Sequence, residues 1–218
     1  KGIDSRKNIL ISIDEYVSET VYNAYADSLG VKFPLVILEW SGHGIIWLAM
    51  TFALFLKPSM TAEIYSSLFH LFVGLITDLL WVAVLKPLVR RKRPVHDTGK
   101  QTLSVHVIDK YSFPSGHATR SMFVSGLSCL VWFKYGVGSR AGCLLMLGWT
   151  LLLGCSRVVM GRHYVGDVLC GFIVGILNLA LVGTALWQTI ENVEFVRTLL
   201  LDSITQVQFI VYEKLNKQ

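Results

Sequence analysis

The 218-residue chain is short of charge: only 16% of its residues are Asp, Glu, Lys or Arg, whereas 53% are hydrophobic. Soluble globular domains carry about 25% charged residues. The shortfall therefore favours a protein that lies in lipid over a soluble one. The length fits a single domain.

Patterns that hold metals or disulfides are also missing. The four cysteines form no CxxC pair, and no histidine stands near them at the spacing of a zinc ligand. We expect four buried, reduced thiols. Aspartates 97, 109 and 167 are scattered and show no DxD spacing, so nothing resembles a two-metal site. The sequence predicts no metal and no cofactor.

Basic residues are concentrated. The formal net charge is +5, and five of the 20 Lys and Arg residues fall between Lys86 and Arg93. Such a cluster can bind nucleic acid, acidic lipid headgroups or a phosphorylated substrate. In a membrane chain the last two are favoured. We therefore expect membrane lipids and a lipid phosphate or diphosphate as partners, and no nucleic acid.

Five segments are long and apolar enough to be membrane-spanning helices. They cover residues 34–56, 66–86, 118–135, 140–160 and 167–188. The predicted fold is all-α, a polytopic transmembrane bundle of about five spans within a core of residues 33–190.

The two flanking segments have a different pattern. In residues 1–32 and 191–218 apolar side chains recur every three or four positions, with charged residues between them. This periodicity predicts amphipathic helices that are too polar to span a membrane. They can lie in the interface, pack on the bundle or join copies into a homo-oligomer, and the pattern does not choose.

Three polar clusters carry the chemistry. They lie at residues 86–94 (KPLVRRKRP), 114–117 (PSGH) and 156–167 (SRVVMGRHYVGD). The second predicted span ends at the face where the third begins, and the fourth span returns to that face. Clusters far apart in sequence are therefore expected to meet in one pocket.

The fixed cations of these clusters suit a phosphoryl group. Lys86, Arg93 and Arg157 can surround its oxygens, which hold charge in the transition state. Ser115 and Gly116 stand where a helix is predicted to begin, so their backbone N–H groups are available to an anion. Three cations can supply the charge that Mg²⁺ would bring, which favours a mechanism without metal.

His163 and Asp167 are four residues apart at a predicted helix start. A carboxylate there can accept a hydrogen bond from one imidazole nitrogen and leave the other nucleophilic. His117 can then protonate the departing group and later take a proton from water. The residues predict a two-step displacement through a phosphohistidine.

The three clusters together resemble the type 2 phosphatidic acid phosphatase superfamily, whose pattern reads K-x6-RP, PSGH and SR-x5-H-x3-D. Every position of that pattern is present. The resemblance implies phosphate binding by Lys86, Arg93, Ser115, Gly116 and Arg157. It further implies that His117 is the acid, His163 the nucleophile and Asp167 its partner.

Residues 90–96 (RRKRPVH) and 109–113 (DKYSF) are similar to a narrower group, the polyisoprenoid (presqualene) diphosphate phosphatases. That similarity implies farnesyl, geranylgeranyl and presqualene diphosphates as substrates. It also implies residence in the endoplasmic reticulum and nuclear envelope. Most of the basic residues fall on the predicted active-site side, which favours a site that faces the cytosol.

Other functions also fit parts of the sequence. A broader phosphatidate or sphingolipid phosphate phosphatase would share the motifs. A non-catalytic nuclear-envelope scaffold should have lost a catalytic residue, and none is missing. Vanadium haloperoxidases share the motifs but are soluble. A channel or transporter would explain Glu39, His43 and Asp78, the ionisable residues within spans, but not three phosphate motifs on one face.

Two further expectations concern basic residues. For Arg90, Arg91 and Lys92 the favoured interpretation is an anchor at the membrane surface. Arg120 is expected to be a structural partner of Asp167 or Asp109.

Overall fold

Eight α-helices and no strand occur in residues 9–25, 29–96 and 110–215, the part of the chain that the computed structural model describes. They are α1 (Ile9–Tyr25), α2 (Leu29–Ser41), α3 (Gly44–Leu56), α4 (Ala62–Val89), α5 (Gly116–Tyr135), α6 (Arg140–Val159), α7 (Val165–Thr184) and α8 (Ile190–Leu215). The predicted all-α fold is confirmed. Asp97, Asp109 and the outermost residues of both predicted terminal helices lie outside the described residues.

Helices α4, α6 and α7 are each long and apolar enough to cross a membrane. The first predicted span, 34–56, is not one straight helix: Phe33–Ser41 and Gly44–Leu56 meet at an angle of 47°. By length and composition, these two segments together are a broken span or a re-entrant loop, so the described residues contain three or four crossings. Large apolar side chains face outward along these helices, as expected for helices in contact with lipid. Examples are Leu80, Val84, Leu144, Leu152 and Ile173.

Helix α5, the third predicted span, is too polar to meet the same criterion of length and hydropathy. Its polar side chains are buried because α5 packs against α4, α6 and α7. Ser125 Oγ donates to Met146 O over 2.7 Å, and Thr150 Oγ1 donates to Ser121 O over 2.9 Å. Hydrogen bonds between membrane helices contribute about 0.6 kcal/mol each on average. The polarity of α5 therefore reflects its place at the centre of the bundle.

Glycines bring α7 close to α5. A Cβ at Gly171 would come within 2.9 Å of Ser115 O, and one at Gly175 would collide with Thr119 O. Small residues at such positions let helix backbones approach closely in lipid. This contact holds the start of α5 beside the start of α7.

Both flanking helices pack on the bundle. Helix α1 contacts α6 and α7, and α8 contacts α3 and α4. Val193 of α8 is buried against Phe55 and Tyr65, and Arg197 Nε donates to Phe55 O over 3.0 Å. Packing on the bundle, one of the arrangements that the sequence left open, is therefore observed for both helices.

Four helix ends meet at one end of the bundle. Helix α4 stops at Arg90, whose φ of 54° is left-handed, and α6 is followed by Gly161 with φ 66°. Helices α5 and α7 begin there. Ser115 N donates to Asp167 O over 3.1 Å, and Ser112 N donates to Arg91 O over 2.9 Å. The segments that carry the three motifs are thereby joined.

Candidate active site

His163 stands in the turn between α6 and α7 and is almost fully buried. Its Nδ1 lies 2.8 Å from the backbone carbonyl of Ser112. A carbonyl can only accept a hydrogen bond, so Nδ1 carries the proton. The other ring nitrogen, Nε2, is then unprotonated and has a lone pair for attack.

The predicted hydrogen bond between His163 and Asp167 is not formed. Its Oδ2 lies 3.7 Å from His163 Nδ1, longer than a hydrogen bond, and accepts from Tyr164 N over 3.0 Å. Its Oδ1 accepts from Arg91 Nη1 over 2.9 Å. The Ser112 carbonyl is nearer and takes the imidazole proton. Asp167 acts on the ring at longer range, by its charge.

The surroundings of His163 keep it neutral. Burial lowers its pKa to about 4; the Asp167 carboxylate opposes the shift, and the charges of Arg93 and Arg157 add to it. The ordinary histidine value is about 6.5. At neutral pH the ring is therefore in the form that can attack phosphorus.

The three predicted phosphate-binding cations lie at this end of the bundle. Lys86 is 4% exposed in the last turn of α4, and Arg157 is 1% exposed in the last turn of α6. Arg93 Nη1 lies 3.5 Å from Arg162 O. Arg93 and Arg157 both act electrostatically on His163. Arg93 and Arg157 beside a neutral imidazole, with Lys86 at the same end of the bundle, suit the binding of an anion.

Several buried polar atoms of the predicted site make no hydrogen bond within the described part of the chain: Ser115 Oγ, His117 Nε2 and Arg157 Nε. Buried polar atoms are normally bonded, and exceptions call for an explanation such as an absent ligand. His117 interacts electrostatically with Arg157 and His163. The unpaired nitrogen of His117 therefore lies within electrostatic reach of Arg157 and His163.

Among the described residues, no close contact explains why the first residue of α5, Gly116, is a glycine. A Cβ there would make ordinary contact with Val82 at 3.8 Å. The space that glycine leaves is thus open for a group that approaches the helix start, where N–H groups attract anions. The N–H of Ser115, predicted to be available to an anion, is instead bonded to Asp167 O.

A carboxylate that the sequence left without a role occupies part of the cation cluster. Glu39 of α2 places Oε1 3.3 Å from Arg157 Nη1 and 3.4 Å from Nη2. Its Oε2 lies 3.7 Å from Arg162 Nη2. Glu39 therefore contacts the arginine that the motif assigns to phosphate.

The partner predicted for Arg120 is wrong. Arg120 Nη2 pairs with Asp78 at 3.0 Å and not with Asp167, whereas Asp109 lies outside the described residues. Its Nη1 donates to Gly42 O over 3.0 Å, at the bend between α2 and α3. Asp78 and Arg120 therefore hold this bend, where a Cβ on Gly42 would come within 2.9 Å of His117. His43 follows and interacts electrostatically with His117.

Arg91, predicted to be a surface anchor, instead lies in the candidate site. Its guanidinium joins Asp14 of α1 at 2.7 Å to Asp167 at 2.9 Å and lies 3.9 Å from the centre of the Tyr164 ring. Burial works to lower the pKa of Arg91, but the carboxylates of Asp167 and Asp14 outweigh it and raise the pKa. No sequence signal separated Arg91 from its basic neighbours.

A cavity of about 320 Å³ reaches His163 from the side of α1. It is bounded by α1, by residues 94–96 and by the turn that carries His163. Tyr22 and His96 stack in its wall with ring centres 4.2 Å apart.

The family of this chain follows from its middle section. Residues 67–191, more than half of the chain, match the PAP2 superfamily. The chain belongs to the PAP2 superfamily. All three motifs fall within the matched segment, whereas Asp14, Glu39 and the bend at Gly42 lie outside it.

Curated relatives share the lipid phosphatase description. The chain is 28% identical over 191 residues to a probable lipid phosphate phosphatase beta of Arabidopsis thaliana, covering 78% of this chain and 86% of that one. It is 30% identical over 115 residues to the mouse sphingosine-1-phosphate phosphatase 1, covering half of this chain and 26% of the relative.

Solved structures share the architecture. The first transmembrane PAP2-type phosphatidylglycerolphosphate phosphatase from Bacillus subtilis superposes with a TM-score of 0.60 at 25% identity, covering 82% of this chain and 86% of that one. Aquifex aeolicus LpxE gives a TM-score of 0.57 at 17% identity and so supports the fold alone. With its apolar helices, this PAP2 protein is an integral membrane protein.

Proposed function

We propose that this PAP2 lipid phosphatase hydrolyses isoprenoid diphosphates and monophosphates, such as those of farnesyl, geranylgeranyl and presqualene, through a phosphohistidine at His163. The observation that carries the chemistry is the bare Nε2 of a neutral, buried imidazole beside Arg93 and Arg157. The family and its relatives support phosphate release from a lipid. The isoprenoid preference rests on the similarity of residues 90–96 and 109–113 to polyisoprenoid diphosphate phosphatases.

In the first step Nε2 of His163 attacks phosphorus. The new P–N bond forms as the P–O bond to the leaving group breaks. The leaving oxygen takes a proton from His117 and departs as an alcohol or, from a diphosphate, as an isoprenoid monophosphate. Lys86, Arg93 and Arg157 hold the charge on the oxygens that do not leave.

In the second step water attacks the phosphohistidine. His117 takes a proton from the water as the P–O bond forms and the P–N bond breaks. The electron pair returns to Nε2 of His163, and inorganic phosphate leaves. The cations stay in place through both steps, so the scheme requires no metal ion.

Phosphate release from a panel of lipids tests the proposal. The detergent-purified protein is assayed with farnesyl diphosphate, farnesyl monophosphate, phosphatidate and sphingosine 1-phosphate in excess EDTA. We expect the farnesyl substrates to give the highest kcat/KM, with no loss of activity to the chelator. Activity that disappears with EDTA would refute the metal-free scheme.

A broader phosphatidate or sphingolipid phosphate phosphatase is the second candidate. The names of the Arabidopsis and mouse relatives favour it. In the same panel, higher kcat/KM for phosphatidate or sphingosine 1-phosphate would select it over the isoprenoid assignment. Absence of phosphate release from all four lipids would favour a scaffold.

The pH profile tests the state of His163. Because its pKa is lowered to about 4, the neutral nucleophile is lost only as pH falls through about 4. We expect the acid limb of the kcat/KM profile to show an enzyme group with a pKa near 4 and no enzyme group with a pKa near 6.5. Substrate phosphate ionises near pH 6, so two substrates with different phosphate pKa values are compared. An acid-limb pKa near 6.5 that is the same for both substrates would contradict the expectation.

Glu39 is expected to compete with phosphate. Its carboxylate contacts Arg157, and an incoming phosphoryl group needs the same guanidinium. Glu39→Gln removes the charge, so inorganic phosphate should inhibit with a Ki roughly tenfold lower. Glu63→Gln, at the opposite end of α4, is the matched control. A higher Ki in Glu39→Gln would show instead that Glu39 orients the arginines.

We place the protein in the endoplasmic reticulum and nuclear envelope, with its active site toward the cytosol. The similarity to polyisoprenoid phosphatases supports the compartment, and the excess of basic residues on the site's face supports the orientation. A glycosylation sequon inserted into residues 97–109 should stay unmodified in microsomes. Its modification would put the site in the lumen. A homo-oligomer stays a prediction.

A further inference from the structure

Helix α1, which lies outside the family match, provides the cap of α7. Asp14 Oδ1 accepts from Gly166 N over 2.8 Å, and Ser18 Oγ accepts from Val165 N over 2.9 Å. The first N–H groups of a helix have no partner within it and need acceptors from elsewhere. Here another helix supplies them, two and three residues after His163.

The second oxygen of Asp14 is linked to Asp167 through Arg91. Asp14 Oδ2 lies 2.7 Å from Arg91 Nη2, and Arg91 Nη1 lies 2.9 Å from Asp167 Oδ1. Asp167 is fully buried, whereas Asp14 and Arg91 are partly exposed at 17% and 20%. The chain of charges Asp14–Arg91–Asp167 therefore runs from the surface helix to the carboxylate behind His163.

Arg91 reaches His163 by a second route through its own backbone. Its carbonyl accepts from Ser112 N over 2.9 Å, and the carbonyl of Ser112 accepts the Nδ1 proton of His163 over 2.8 Å. Both groups near Nδ1, the Ser112 carbonyl and the Asp167 carboxylate, thus depend on the placement of Arg91.

We infer that Asp14 is a positioning residue for the reaction, and that α1 supports catalysis in addition to packing on α6 and α7. Asp14 holds Arg91, and Arg91 fixes the two acceptors that set the tautomer and direction of the His163 ring. The inference rests on the proposed nucleophilic role of His163. It does not depend on which lipid is the substrate.

A kinetic comparison of variants tests this role. Asp14→Asn is expected to lower kcat by about 10- to 100-fold with little change in KM, because a small displacement of a reacting group costs rate rather than binding. Asp14→Glu should restore part of kcat. Ser18→Ala is the comparison variant: it removes a similar bond between α1 and α7 but does not touch Arg91, so its loss of kcat should be several-fold smaller than that of Asp14→Asn.

A double-mutant cycle separates positioning from simple anchoring of α1. In an Arg91→Met background the Asp14→Asn change should have little further effect on kcat, because the two residues act in one chain. If Asp14 only anchors α1, its loss will cost the same in both backgrounds, and an equal loss in Ser18→Ala will point the same way. Either outcome would overturn the inference.

The assays use dioctanoyl phosphatidate and farnesyl diphosphate, with thermal stability measured for every variant. An unaltered protein that cleaves only phosphatidate would end the isoprenoid proposal and leave the Asp14 test intact. If Asp14→Asn has the same kcat and the same stability as the unaltered protein, the Asp14 inference fails and the isoprenoid proposal is unaffected.

Discussion

Replacing His163 by alanine is expected to lower kcat for phosphate release by about 10⁴-fold or more, the scale on which a covalent nucleophile is lost. No other described side chain combines a bare nitrogen, burial and the charges of Arg93 and Arg157 in this way. Release of phosphate from each lipid that the unaltered protein cleaves is the measurement.

The control for that variant is binding. Lys86, Arg93 and Arg157 are unchanged in His163→Ala, so inorganic phosphate should still protect the protein against thermal unfolding. Retained binding with lost turnover assigns His163 to the chemical step. A variant that keeps more than a tenth of the activity would remove His163 as the nucleophile.

His117→Asn should slow the first step according to the leaving group. Release of farnesol from farnesyl monophosphate needs a proton and should slow by about 10²- to 10⁴-fold. Release of farnesyl monophosphate from the diphosphate needs that proton far less, because a phosphate monoester is a better leaving group. Its first-turnover burst should stay within about tenfold of normal.

Steady-state turnover of the diphosphate should nevertheless fall in this variant. Without His117 no base activates water in the second step, so the phosphoenzyme should accumulate after the burst. Rapid-quench measurement of both products separates the two steps. An equal loss of burst rate for both substrates would contradict a proton-donating role for His117.

Much of the fold and the motif-bearing part of the site could be predicted because both follow from the types and order of the side chains. Long apolar segments predict helices, and the alternation of spans places Lys86, His117 and His163 at one end of the bundle. Helix α5 fits that order although it is polar, since its neighbours bury its polar face. The helix boundaries differ from those predicted by a few residues.

The parts that could not be predicted depend on backbone atoms and on distant partners. The acceptor for the His163 proton is the carbonyl of Ser112, and a carbonyl has no residue signature. Arg91 sits in a run of basic residues, and only the fold brings it between Asp14 and Asp167.

The apolar run 34–56 likewise gives no sign of where it bends. The bend occurs at Gly42, whose carbonyl is held by Arg120 from a different helix. Glu39 reaches Arg157 from the same broken segment. Both contacts depend on helix packing that periodicity does not encode.

The most direct test of the central claim is to trap the covalent intermediate. His117→Asn is mixed with farnesyl diphosphate labelled with ³²P at the terminal phosphate, quenched in base within the burst, and digested for peptide mapping. The label should be stable in base, labile in acid and located on Nε2 of His163. Label on another residue, or no covalent label during a clear burst of farnesyl monophosphate, would contradict the account.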